Sequence, residues 1–360
     1  MENRVYNFNP GPATLPLTVL QQAQAELLNY KGTGMSILEM SHRAKEFDEI
    51  VLGTEALFKE LTGLGDDYRV LFCQGGASQQ FAMLPLNFLT QGKSADYLIT
   101  GSFADKAFKE AKKIGSAQIA ATTADDKHNR IPTQEELTLQ REAAYVHLTT
   151  NNTIYGTEWH YIPQTDAPLV ADMSSDILSR PWEYQKFALI YAGAQKNLGP
   201  AGVTVVLIRQ DMLSDINAAL PTMFNYDTFA SKNSMYNTPP TFSIYLLQLV
   251  LKWVQAQGGL TVLGQQNKEK AALLYEALDE DDFYRGHAQV ESRSLMNVTF
   301  RLPNEELEKA FVAAAAEIGL AGLKGHRSVG GIRASIYNAM SPQGCETLAS
   351  FMHDFKKRNR

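Results

Sequence analysis

Short apolar runs alternate with longer amphipathic stretches through the first two thirds of the chain. The runs are rich in Val, Ile, Leu and Tyr, and their apolar residues do not strictly alternate with polar ones. Strands that are buried on both faces have this pattern, which is typical of a mainly parallel sheet covered by helices. The pattern predicts an α/β domain over residues 16–258, with strands in RVLFCQ (69–74), ADYLIT (95–100), AYVHLTT (144–150), PLVADMSS (168–175), FALIYAGAQ (187–195) and GVTVVLIR (202–209).

The last third of the chain has a different pattern. A long apolar helix is predicted over 241–257, and the Gly258-Gly259 pair that follows is a typical helix stop. Helices and strands then mix in an α+β order, in QQNKEKAALLYEALDE, LMNVTFRL, EELEKAFVAAAAEIGL, GGIRASIYNA and a last helix. We expect a smaller domain over 259–360. The Pro- and Gly-rich start of the chain is predicted to cross to it, which adds residues 1–15 to the small domain.

Composition and charge exclude several classes of protein. The 44% hydrophobic and 20% charged content is that of an ordinary globular protein. A net charge of −6 without a Lys/Arg-rich run argues against nucleic acid or an anionic membrane as partner. No stretch reaches the apolar length of a transmembrane helix, and the start has no signal-peptide pattern. Two cysteines, Cys73 and Cys345, predict neither a disulfide framework nor a metal site, so we expect a reducing, cytoplasmic location.

Lys196 closes one of the predicted strands and is followed by a Gly/Pro turn. Most lysines at such positions are simply solvated. Open α/β sheets, however, bind their ligands beyond the carboxyl ends of the strands. A partly desolvated lysine there can lose its proton and attack a carbonyl to form a Schiff base.

Asp172 ends an earlier predicted strand and adds a second group to the same edge of the sheet. A buried carboxylate needs a partner, which is either a loop or arginine contact or a cationic heterocycle. A strand-end Asp followed by a strand-end Lys matches the pair that holds the ring nitrogen and the carbonyl carbon of pyridoxal 5'-phosphate (PLP).

These residues and their surroundings resemble the phosphoserine aminotransferases, a family of class V, fold-type I PLP-dependent enzymes. The resemblance runs from end to end, through NFNPGPATLP (7–16), GMSILEMSHRAKEF (34–47), FCQGGASQQF (72–81), ADMSSDILSRP (171–181), YAGAQKNLGPAG (191–202), NTPPTFSIY (237–245) and GHRSVGGIRASIYNA (325–339). It implies a large PLP-binding domain with a mainly parallel, seven-stranded sheet, a small domain, and a homodimer with shared active sites. The implied reaction, in serine biosynthesis, converts L-glutamate and 3-phosphohydroxypyruvate to 2-oxoglutarate and O-phospho-L-serine. Use of 4-phosphohydroxythreonine in pyridoxine biosynthesis stays open.

The resemblance also implies which residues contact the cofactor. Gly75-Gly76 is an ordinary turn signal, but it opens a predicted helix whose N-terminal N–H groups would suit a phosphate. In the family, Ala77 and Ser78 hold that phosphate with Gln195, Phe103 stacks on the ring, and Thr153 reaches polar atoms at its edge. Phe103 departs from the tryptophan that is common there, and Ser78 from the arginine of some members.

Five cationic side chains are candidates for binding the anionic substrates: His42, Arg43, His326, Arg327 and Arg333. Either His-Arg pair could be an ordinary surface pair. Glycines around the second pair, in GHRSVGG, would let backbone approach a ligand closely. Arginine suits carboxylates because its planar fork binds both oxygens. The resemblance assigns Arg333 to the substrate α-carboxylate and the other four to the phosphate or to the side-chain carboxylate of glutamate.

Asn237 and Thr238 precede the long apolar helix. On local grounds Thr238 is predicted to cap that helix, with the prolines in its first turn. The resemblance adds that this Asn-Thr pair reaches the PLP phosphate of the neighbouring subunit.

Other functions stay open from the residues alone. Another class V PLP enzyme is an alternative, although a desulfurase needs a mobile cysteine, and Cys73 and Cys345 are predicted in a strand and a helix. A non-enzymatic PLP-binding protein need not keep Lys196, Asp172 and the arginines together. A nicotinamide enzyme is disfavoured, since no G-x-G-x-x-G follows the first strand.

Overall fold

The computed structural model describes residues 4–360, which form ten α-helices and fourteen strands. The helices are α1 Leu17–Glu26, α2 Lys45–Thr62, α3 Gly76–Phe88, α4 Ser102–Ile114, α5 Gln210–Ser214, α6 Tyr226–Ser231, α7 Thr241–Ala256, α8 Gly259–Asp279, α9 Glu305–Glu317 and α10 Pro342–Asn359. The strands are β1 Tyr6–Asn7, β2 Tyr68–Cys73, β3 Ser94–Ile99, β4 Ser116–Thr122, β5 Val146–Thr149, β6 Asn151–Asn152, β7 Thr157–Glu158, β8 Leu169–Asp172, β9 Leu189–Gly193, β10 Thr204–Arg209, β11 Arg285–Gly286, β12 Asn297–Arg301, β13 Leu320–Ala321 and β14 Ile332–Ser335.

A seven-stranded sheet in the order β2-β10-β9-β8-β5-β3-β4 forms the centre of the molecule. Strand β10 is antiparallel to β2 and β9, and the other neighbours are parallel. All six strands predicted from apolar runs lie in this sheet. The seventh, β4, was not predicted, because SAQIAAT at the sheet edge is mostly exposed or half-buried and carries no apolar run.

Helices cover both faces of this sheet. On one face, Phe47 of α2 and Leu247 of α7 belong to a large buried core. On the other face, Phe81 of α3 and Ala107 of α4 pack into a second core. Because both faces are buried, the strands can be apolar along their whole length, which is the pattern seen in the sequence.

A third core lies between α8, α9, α10 and the three-stranded sheet β11-β12-β14. Phe8 is fully buried in it, and β1 pairs in parallel with β13, so the start of the chain lies in this part of the molecule. Helix α8 joins two of the cores, because Leu260 and Leu263 belong to the large core under α2 and α7, and Leu274 belongs to the third core. No helix within residues 4–360 has the length and apolar content needed to cross a membrane.

Candidate active site

Lys196 and Asp172 lie at the same edge of the central sheet. Strand β8 ends at Asp172, its parallel neighbour β9 ends at Gly193, and Lys196 follows in the turn to β10. The Lys196 amino group donates a hydrogen bond to Thr153 Oγ1 at 2.9 Å. Burial lowers the pKa of Lys196 to about 8; the charge of Asp172 works against this shift and that of Arg333 adds to it. The side chain can therefore exchange a proton close to neutral pH.

The carboxylate of Asp172 is buried and only partly satisfied. Its Oδ1 accepts a hydrogen bond from the backbone N–H of Ser174 at 2.9 Å, and no bond from residues 4–360 reaches Oδ2. Burial raises the pKa of Asp172, while the charge of Lys196 and the bonds from Ser174 oppose this shift. An unpaired oxygen on a buried acid suits a cationic partner, and the protonated ring nitrogen of PLP is such a partner.

An aromatic ring and a second lysine lie beside Lys196. The Phe103 ring centroid is 5.3 Å from Lys196 Nζ and 5.1 Å from Lys106 Nζ. Phe103 and Lys106 lie in the first turns of α4, which begins shortly after β3. The ring can stack on a flat cofactor, as predicted for this position.

The turn from β2 into α3 leaves helix N–H groups available for an anion. Gly75 and Gly76 have φ of 84° and 63°, and no side chain caps the helix. A Cβ on Gly75 would lie 1.9 Å from Gln79 Oε1, so this position accepts only glycine. The half-buried Ala77 and the exposed Ser78 follow in the first turn. Helix α3 has thirteen residues, and its uncapped N-terminus fits the phosphate of PLP.

The start of the chain lies against the lysine turn. Ala13 N–H donates to the carbonyl oxygen of Gln195 at 2.9 Å. A Cβ on Gly11 would be 3.4 Å from the Cγ atoms of both Gln195 and Lys196. The start of the chain therefore covers the turn that carries Lys196, on the side of the third core.

Arg333 brings a buried cation to the site from β14. Its side chain is 7% exposed, and Nη1 donates to Thr153 O at 3.3 Å. Its Nε is buried without a hydrogen-bond partner in the described chain. An unpaired N–H on a buried guanidinium suits a ligand carboxylate.

His326 and Arg327 extend this cationic group. Burial lowers the pKa of His326, and the charges of Arg333, Arg327 and Lys106 lower it further. These side chains are therefore close enough to share one electrostatic environment. Although the whole chain carries a net charge of −6, positive charge is concentrated here.

His42 and Thr238 contact each other, and Arg43 and Asn237 are their neighbours in sequence. Thr238 Oγ1 is 3.2 Å from His42 Nδ1, and His42 Nε2 is buried without a partner. Within residues 4–360, no hydrogen bond or ion pair joins these four residues to Lys196 or its neighbours. The predicted capping role of Thr238 is wrong, because α7 begins at Thr241 with Pro240 as its N-cap and no side-chain cap.

Lys106 is a member of the site that the sequence did not indicate. It lies on an exposed, charge-rich helix face, where lysines are usually solvated. The available signal was its spacing, three residues after Phe103 on a helix that starts at the ligand-binding edge of the sheet.

Both cysteines are buried. Burial raises the thiol pKa of Cys73, and it raises that of Cys345 to about 12. Neither thiol is therefore a ready nucleophile, which removes the basis for the desulfurase alternative.

Comparison with known proteins identifies the family of the chain. The family model of class-V aminotransferases matches residues 5–348. A phosphoserine aminotransferase of Herpetosiphon aurantiacus is 60% identical over 98% of this chain and 98% of its own length. The solved phosphoserine aminotransferase of Bacillus circulans subsp. alkalophilus gives a TM-score of 0.98 at 53% identity, over 99% of both chains. The PLP-bound phosphoserine aminotransferase of Trichomonas vaginalis gives 0.93 at 38%, over 97% of this chain and 100% of that one.

The fold is that of a class V aminotransferase, and the chain belongs to this family. Within it, the chain belongs with the phosphoserine aminotransferases, which are PLP-dependent transaminases. The family, the fold class and the cofactor predicted from the sequence are thereby confirmed.

Proposed function

We propose that this protein transfers the amino group of L-glutamate to 3-phosphohydroxypyruvate, giving O-phospho-L-serine and 2-oxoglutarate, a step of serine biosynthesis. The observation that carries the proposal is the position of the Lys196 amine, at the strand ends, beside Asp172 and the buried Arg333. PLP, when bound, supplies a carbonyl for the amino group and an electron sink for the adjacent carbon.

The cofactor would be held by groups of different chemistry. Asp172 would accept a hydrogen bond from the ring nitrogen with the oxygen that protein donors leave free. The N-terminus of α3, at Ala77 and Ser78, would bind the phosphate together with Gln195. Phe103 would pack on the ring face, and Thr153 would orient the Lys196 amine through their hydrogen bond.

Lys196 is proposed as the group that moves the proton. A pKa of about 8 would let the amine take the α-proton of the amino acid and deliver a proton to the carbon that PLP contributes as its carbonyl. The neighbours of Lys196, namely Thr153, Asp172 and Arg333, are buried, which limits the access of water to the reacting atoms.

The substrates would be bound by the two cationic groups. Arg333 would take the α-carboxylate, which every amino and keto acid substrate shares. His326, Arg327, His42 and Arg43 would take the phosphate, or the side-chain carboxylate of glutamate in its place.

Two arginine variants should separate these roles. Arg333→Ala should lower kcat/KM about 10- to 100-fold for all substrates alike, because a charge-assisted bond worth ~1.5–3 kcal/mol is lost. Arg327→Ala or Arg43→Ala should lower it by that factor for 3-phosphohydroxypyruvate and much less for hydroxypyruvate. The test is a paired assay of glutamate with each keto acid. Equal losses from all three variants on both keto acids would contradict the assignment.

Asp172→Ala should lower kcat about 10²- to 10³-fold, since the ring nitrogen would lose its partner and the electron sink would weaken. Steady-state turnover and the absorption spectrum of the bound cofactor would measure this. Asp96→Ala is the matched control: Asp96 is another buried strand acid, and its Oδ2 accepts a bond from Gln140 N–H at 2.6 Å. It should lower the melting temperature and leave kcat within a few-fold. Near-native turnover of Asp172→Ala would make Asp172 a structural acid.

We propose a homodimer with shared active sites. Support comes from exposed apolar side chains beside the second cationic group: Leu28 (84% exposed), Met35 (43%) and Leu38 (59%) precede His42, and Tyr236 (50%) adjoins Asn237. A second copy of the chain would bury this surface. It would also bring His42 and Thr238 to the partner's Lys196 group.

Three further parts of the interpretation are proposals as well. The division into a large domain over 16–258 and a small domain of 1–15 and 259–360 is supported by the separate third core and by the pairing of β1 with β13. A cytoplasmic location is consistent with two free, buried cysteines. Activity on 4-phosphohydroxythreonine would use the same cationic groups, because that substrate also carries a phosphate.

A further inference from the structure

The loop 325–331 carries His326 and Arg327 between β13 and β14, and its base is narrow. Gly325 N–H donates to Gly331 O at 2.8 Å. A Cβ on Gly325 would lie 2.0 Å from Gly330 O, so the two sides of the loop touch. Arg327 itself is exposed at the tip. The orientation of the loop tip therefore depends on the contacts that hold residues 329–331, the side of the loop that returns to β14.

An ion pair outside the proposed active site holds that returning side. Arg301 ends β12 and Glu308 lies in α9, with Arg301 Nε 2.7 Å from Glu308 Oε1. Arg301 Nη1 donates to Val329 O at 2.5 Å, and Gly331 N–H donates to Glu308 Oε2 at 3.2 Å. Each member of the pair thus makes one hydrogen bond to the loop, and the two side chains contact each other as an ion pair, in which Glu308 Oε1 has no hydrogen-bond partner within residues 4–360.

The paired glycines of the loop are explained by this ion pair. Gly330 and Gly331 have φ of 71° and 70°. A Cβ on Gly330 would lie 2.6 Å from Arg301 Nη1, and a Cβ on Gly331 would lie 2.7 Å from Arg301 Cδ and from Phe300 O. The sequence interpretation, that the loop glycines let backbone approach a ligand, stays a prediction for Gly330 and Gly331. They let the loop backbone approach Arg301.

We propose that Arg301 and Glu308 are positioning residues that set the affinity for the substrate phosphate through the loop 325–331. The inference rests on the proposed role of His326 and Arg327. Glu308 is 8% exposed, so its charge needs the partners it has, and they include the loop backbone. A loop that is held before the substrate arrives does not have to be ordered on binding, which preserves binding free energy.

Glu308→Gln is the first test, in the holoenzyme. It keeps the size of the side chain and weakens both the ion pair and the bond from Gly331. We expect the KM for 3-phosphohydroxypyruvate to rise roughly tenfold and kcat to stay within about twofold of the wild-type value. The reason is that part of the binding free energy is then used to order the loop. Arg301→Lys is the second variant, since it keeps the charge but loses the fork that reaches Val329 O; it should act in the same direction.

The matched control is Glu280→Gln. Glu280 also forms an ion pair within the small domain, with Lys356 near the end of α10, and it has no contact with the loop. This variant should leave the KM unchanged even if the melting temperature falls by as much as in Glu308→Gln. A KM that follows the melting temperature in all three variants would reduce the ion pair to a general stabilising contact.

The titration of His326, followed by NMR, gives a readout that does not depend on turnover. A released loop would carry the imidazole away from Arg333 and Lys106 into solvent, so its pKa should rise in Glu308→Gln and not in Glu280→Gln. An unchanged KM and an unchanged titration in Glu308→Gln and Arg301→Lys, with Arg327→Ala still raising the KM, would overturn the positioning role alone. If Arg327→Ala has no effect on the KM, the proposed function of the loop itself is wrong.

Discussion

Replacing Lys196 by alanine should abolish transamination, with kcat falling about a thousandfold or more. The variant removes the only lysine amine that lies beside Asp172 in the described chain, and general acid–base catalysis alone contributes 10²- to 10⁴-fold. The rest of the site is untouched, so the variant should still bind PLP through the groups that do not depend on the amine. Turnover and cofactor content of the purified protein would measure both.

Borohydride reduction of the wild-type holoenzyme should fix the cofactor on the peptide that contains Lys196. Lys270 is an internal control, because burial lowers its pKa to about 8 as well. The Lys270 amino group donates hydrogen bonds to three carbonyl oxygens, those of Ile336, Tyr337 and Met340. These bonds hold the amine in its protonated form, so it is not available as a base. A low pKa alone therefore does not make a lysine catalytic. Label on Lys270, or turnover retained in Lys196→Ala, would contradict the mechanism.

The parts of the fold that the sequence predicted are those in which local pattern and burial agree. The strand that ends at Asp172 and the strand before Lys196 are apolar throughout, because helices cover both of their faces. Strand β4 escaped prediction since its edge position leaves polar residues outward and gives it no such run. Helix α7 begins at Thr241 as predicted, but Thr238 does not cap it; the Thr238 hydroxyl lies against His42, 196 residues away.

The same distinction holds for the site. Asp172 ends a strand, Arg333 lies within one and Lys196 follows three residues after one, so their neighbours in sequence indicate where they lie. Lys106 and the Arg301–Glu308 pair are defined by contacts between elements. Arg301 meets Val329 28 residues later along the chain, and nothing in the sequence of β12 or α9 indicates that meeting. The glycine pair of the loop was visible in the sequence, but its partner was not.

Mixing two inactive variants should restore activity if the active sites are shared between subunits. Lys196→Ala removes the amine, and Thr238→Glu places a carboxylate where the proposed partner phosphate would lie. In a mixed dimer with shared sites, one site collects both defects and the other collects neither. Random exchange of subunits should then restore about a quarter of the wild-type activity.

The separation of two residue groups in the structure makes this experiment informative. Thr238 contacts His42 of its own chain, and His42 Nε2 is buried without a partner, so this group is assembled before any ligand arrives. If each chain used its own Thr238, every site in the mixture would carry one defect and activity would stay absent. Each variant taken alone through the same exchange step is the control, with exchange followed by native mass spectrometry. Exchange without recovery would refute the shared site and leave the Thr238–His42 contact as a local one, and a fully active Thr238→Glu would remove Thr238 from the site altogether.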